Sequence, residues 1–71
     1  MMIETQALIL CGLTRLRGDD FERASAAFRH CTPAQMQEVV GGDGETRQEI
    51  LDGYRQHTNA VDAAIAEVTA L

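Results

Sequence analysis

From Thr46 to Leu71 apolar residues recur at helical spacing: Ile50, Leu51, Tyr54, Val61, Ala64, Ile65, Val68 and Leu71. A stripe on one side of a 3.6-residue repeat describes a long amphipathic helix. In a chain of 71 residues nothing else can be as long, so the remaining segments must be arranged to cover it. The stripe is a packing feature and names no chemistry. A chain this short makes one small domain, residues 1–71, with a marginal core. Disulfides, a metal or self-association usually make up the deficit. Cys11 and Cys31 are the only cysteines, which excludes a disulfide-rich scaffold. Each lies in an apolar run where a thiol serves as a small hydrophobe, which favours free thiols and leaves a single bridge open.

Upstream, Ile3, Ala7 and Leu10, and also Ile9, Leu13 and Leu16, follow helical spacing over residues 3–17. The middle of this segment is apolar nearly all round and is expected to be buried on more than one side. A strand over 7–13 is the competing reading, because short apolar runs are ambiguous. Gly18 is a helix stop in a left-handed conformation. Asp19 then caps a helix over 20–30, with Glu22 at capping-box spacing. Phe21, Ala24, Phe28 and Cys31 share one face of it. Thr32, Pro33 and Gln35 open a short helix over 33–40, with Met36, Val39 and Val40 turned inward. Gly41-Gly42-Asp43-Gly44 is a turn, and Thr46 with Glu49 opens the last helix, about 46–70. The expected fold is all-α: three or four helices in a small bundle, the long C-terminal one antiparallel to the first, and oligomeric.

The net charge of -5 is uneven. Glu4, Asp19, Asp20 and Glu22 balance Arg15, Arg17, Arg23 and Arg29 in the first 30 residues. Beyond them Glu38, Asp43, Glu45, Glu49, Asp52, Asp62 and Glu67 face only Arg47 and Arg55. Nucleic acid needs a basic footprint, so this polarity argues against it and for a basic partner surface. The apolar run 7–13 is too short to cross a bilayer, and no cationic segment of a secretion signal precedes it. The expectation is a cytoplasmic protein that does not contact membranes.

Two stretches are candidate ligand sites. Gly42, Gly44, Thr46 and Arg47 combine a glycine-rich turn with a helix N-terminus, an arrangement that suits an anionic phosphate. The P-loop lysine is missing, and Asp43 and Glu45 would repel an anion. The plainer reading is a helix-start turn with caps. Farther along, the stripe is broken by Gly53 and by His57-Thr58-Asn59. Tyr54, Arg55 and His57 there could hold a ligand at a subunit boundary, though such groups on a helix seam usually belong to a core or an interface. Ile50, Leu51, Tyr54, Val61, Ile65 and Val68 are the candidate interface residues. Cys11, His30, Cys31 and His57 are zinc-ligand types in the wrong spacing, so no metal and no cofactor is expected. A Cys–His nucleophile, Cys31 or Cys11 with His57, lacks an evident oxyanion hole and an enclosed cleft, so no enzyme is expected.

The run from Thr32 to Val68, TPAQMQEVVGGDGETRQEILDGYRQHTNAVDAAIAEV, resembles small uncharacterised helical proteins of tailed phages and prophages. The shared features are the T-P-x-Q-M opening, the glycine turn, T-R-x-E-I-L, and the later Tyr, His and V-x-x-A-I. What the resemblance implies is a short accessory protein that binds and neutralises a host component. Three function classes stay open, the third of them, an enzyme, resting on the Cys–His residues alone. The leading one is a non-enzymatic inhibitor that presents an acidic helical face to a host protein. The alternative is an oligomeric protein that sequesters an anionic small molecule or nucleotide near the glycine turn and the long helix.

Overall fold

The computed structural model describes residues 3–71. It contains α1 (Glu4–Arg17), α2 (Asp20–Ala27), α3 (Pro33–Met36) and α4 (Arg47–Thr69). No strand occurs among the described residues, and one isolated antiparallel bridge joins Val39 to Thr46. The all-α expectation holds, and the ambiguous residues 7–13 lie inside α1. α4 has 23 residues and is about 35 Å long. No helix among the described residues is long and apolar enough to cross a membrane. The chain groups into two compact units, one formed by residues up to Gly18 together with His57–Leu71, the other by Asp19–Gln56.

In the first unit α1 runs antiparallel to the C-terminal part of α4, as its sequence suggests. The Gln6 side-chain amide donates to the Val68 carbonyl. At the other end His57 Nε2 donates to the Leu16 carbonyl at 2.9 Å, and Arg17 Nε donates to Asp62 Oδ1 at 2.7 Å. Thr58 and Val61 are the buried residues of the α4 segment. Gln6, Leu10, Leu13 and Arg17, spaced at three and four, form the half-buried face of α1. Burial on more than one side of α1 is not found: none of its residues is buried. Among the described residues of this unit α4 is the only other helix, and one neighbour can cover only one stripe. Leu8, Ile9 and Leu16 therefore stay 67%, 45% and 59% exposed. α1 ends at Gly18, whose N–H donates to the Thr14 carbonyl. Its φ of 59 is the positive value that glycine permits, but its ψ of -160 is extended and not the left-handed helical value expected.

In the second unit the predicted face of α2 is formed, with Ala24 buried and Phe21, Phe28 and Cys31 half-buried. The helix is three residues shorter than expected, since residues 28–30 are turn. Asp19 makes no side-chain cap bond and instead pairs with Arg23 at 3.2 Å. α3 is one turn with its capping box closed in both directions between Thr32 and Gln35. It stops at Met36, not at residue 40, because the chain reverses there. Val40 N–H and Gly41 N–H both donate to the Glu45 carbonyl, at 2.9 and 3.1 Å. Val39 and Val40 are β-branched and suit this extended path better than a helix. They are 63% and 48% exposed, so the inward orientation expected of them is corrected too.

Candidate functional site

The glycine turn is built to launch α4. Gly44 has φ 82, a conformation that side-chain-bearing residues resist, and its N–H donates to the Gly41 carbonyl at 3.1 Å. Thr46 and Glu49 close the predicted capping box: the Thr46 hydroxyl accepts from Glu49 N–H, and the Glu49 carboxylate accepts from Thr46 N–H, both at 3.1 Å. Arg47 Nη1 donates to the Gln35 carbonyl at 2.7 Å and to Glu38 Oε2 at 3.3 Å. The hydroxyl, the Thr46 and Glu49 N–H groups and the guanidinium that a phosphate would use are thus engaged by the chain itself. Gly42 is exposed, and nothing among the described residues lies within 4 Å of where its Cβ would stand.

Among the broken-stripe residues, Tyr54 is 38% exposed. The Arg55 guanidinium carbon lies 5.5 Å from the Phe21 ring centroid, a cation–π contact. It also approaches Asp52 Oδ1 at 3.4 Å. His57 donates to a carbonyl in the last turn of α1, which otherwise has no intrahelical donor. That bond requires a proton on Nε2. Thr58, next to it, is the polar residue the fold buries, at 5% exposure. Of the candidate interface residues, Val61 is buried and Ile50, Leu51, Ile65 and Val68 are half-buried.

Cys11 is an exposed free thiol and Cys31 a half-buried one. No group of three or more His, Cys, Asp or Glu residues able to hold a metal forms among the described residues. The surface that sequence reasoning missed is the outward side of α1. Its all-round apolarity signalled two covering partners, whereas its unit supplies one. Beside it an open groove of about 240 Å³ is lined by Ile3, Thr5, Gln6, Ile9, Val68 and Leu71, below the roughly 300–1,000 Å³ of small-molecule sites. No protein-family model, no curated protein and no solved structure matches the chain.

Proposed function

We propose that this chain is a non-enzymatic helical interaction protein that presents an acidic surface to a basic protein partner. The observation that carries the reading is how the arginines are used. Arg17, Arg23, Arg47 and Arg55 are held in ion pairs with Asp62, Asp19, Glu38 and Asp52. In the Asp19–Gln56 unit Asp43, Glu45 and Glu49 stay exposed along the turn and the start of α4, with no ion pair among the described residues. Exposed carboxylates without counter-charges repel phosphate backbones and steer a basic surface toward the protein. In its narrower form the partner is a host protein and the chain a phage-type inhibitor acting in the host cytoplasm. The support for that form is the resemblance of residues 32–68.

The test is affinity capture from the native host with the wild type and with a Asp43→Asn, Glu45→Gln, Glu49→Gln variant, at low and high salt. The amide at position 49 retains an acceptor for the capping bond, so the fold is kept. A partner retained by the wild type, lost with salt and weakened in the variant supports the reading. A partner captured equally by both proteins, or with no dependence on salt, overturns it.

A further inference from the structure

We infer that two copies of the chain pair through the outward face of α1, antiparallel, with Ile9 of each copy seated over Gly12 of the other. The inference is independent of the acidic surface. Thr5, Ile9, Gly12 and Leu16 are all exposed and follow one another at spacings of four, three and four, the repeat of a helix–helix seam. That series reads the same in either direction. A twofold axis at its centre therefore sets Ile9 against the partner's Gly12 and Thr5 against the partner's Leu16, large beside small.

Gly12 is the second observation. Beyond the helix's own backbone, nothing among the described residues lies within 4 Å of where its Cβ would stand, so no described contact asks for glycine in the middle of this helix. An apolar side chain from a second helix fills that space. Charge selects both the occupant and the direction. Glu4 and Arg15, with Leu8 between them, lie along the same flank of the seam and form no ion pair among the described residues. Antiparallel pairing brings Glu4 near the partner's Arg15 twice. Parallel pairing would carry the two flanks to opposite sides of the seam, where Glu4 and Arg15 of the two copies do not meet. The first 30 residues carry equal numbers of acids and arginines, so two chains of net charge -5 meet where repulsion is least.

The experiment is light scattering on the full chain from about 5 to 500 µM. The wild type is expected to rise from a 7.8 kDa monomer toward twice that mass. Glu4→Arg alone and Arg15→Glu alone each place like charges at both ends and are expected to weaken the pair about tenfold. The double exchange Glu4→Arg, Arg15→Glu restores opposite charges and is expected to recover the dimer. Gly12→Leu fills the receiving space and is expected to leave a monomer of unchanged far-ultraviolet circular dichroism. A wild type that stays monomeric overturns the inference, as does a single reversal that dimerises like the wild type or a double exchange that fails to recover.

Discussion

Val61→Ala tests the packing of the α1–α4 unit. Val61 is the best-buried apolar residue described, at 6% exposure. The substitution removes two methyl groups, about 1.6 kcal/mol at the usual transfer value for a buried CH₂. Incomplete closure of the space left behind brings the expected loss to about 2 kcal/mol. A chain of 71 residues has a total stability of about 4–11 kcal/mol, so the change is large against the whole. For a domain of this size it lowers the midpoint of thermal unfolding by about 8–16 °C. The assay is circular dichroism at 222 nm at low micromolar protein, with urea unfolding as a second route to the same free energy. Leu8→Ala is the control: Leu8 is 67% exposed, so less than about 1 kcal/mol is expected at a concentration where chains do not meet. A Val61→Ala shift below about 3 °C, or a Leu8→Ala loss as large as that of Val61→Ala, refutes the assignment of inner and outer faces.

Arg47→Met removes the hydrogen bond to the Gln35 carbonyl and the contact with Glu38, and should cost about 1 kcal/mol; amide exchange should accelerate most across residues 33–46. Gly44→Ala forces a side chain into φ 82 and should cost about 1–2 kcal/mol, whereas Gly42→Ala, with open space and no positive φ, should be neutral or slightly stabilising. Unfolding curves of the two variants check the contrast. Gly12→Ala should raise the stability of the monomer by up to about 1 kcal/mol through helix propensity. In the dimer the same methyl group occupies the space assigned to the partner's Ile9, so light scattering should show weaker association despite the stronger helix.

How much of this was legible in the sequence depended on range. Features set by residues within one helical turn of each other were read well. The capping boxes of Thr32 with Gln35 and of Thr46 with Glu49 form as their spacing suggests, and α1 and α4 lie where periodicity placed them. Features decided by competition between partners were read less well. The Asp19 carboxylate could cap a helix or pair with Arg23, and it pairs. Val39 could continue a helix or bridge to Thr46, and the glycine turn that follows makes the bridge accessible. Burial of α1 is not legible in the sequence for a different reason. Periodicity reports which faces are apolar but not how many neighbours exist to cover them. At the candidate site, Thr46 and Arg47 were read as groups available to an anion. Thr46 is engaged by the capping box that its spacing to Glu49 already gives, whereas the engagement of Arg47 with Gln35 and Glu38 joins positions twelve and nine apart and becomes visible only once the turn is folded.

The two proposed contacts use separate surfaces: the apolar outer side of α1 for a second copy, and the carboxylates of the turn and α4 start for a basic partner. The acidic contact is expected to weaken more steeply with salt than the seam, because the seam's apolar contacts are not screened and only its flanking Glu4–Arg15 pairs are. Native mass spectrometry of the complex captured from the host, at low and high ammonium acetate, reads both at once. The predicted result is a partner bound to two copies of the chain at low salt, and two copies without the partner at high salt. A single copy that binds a partner equally at both salts would contradict the account.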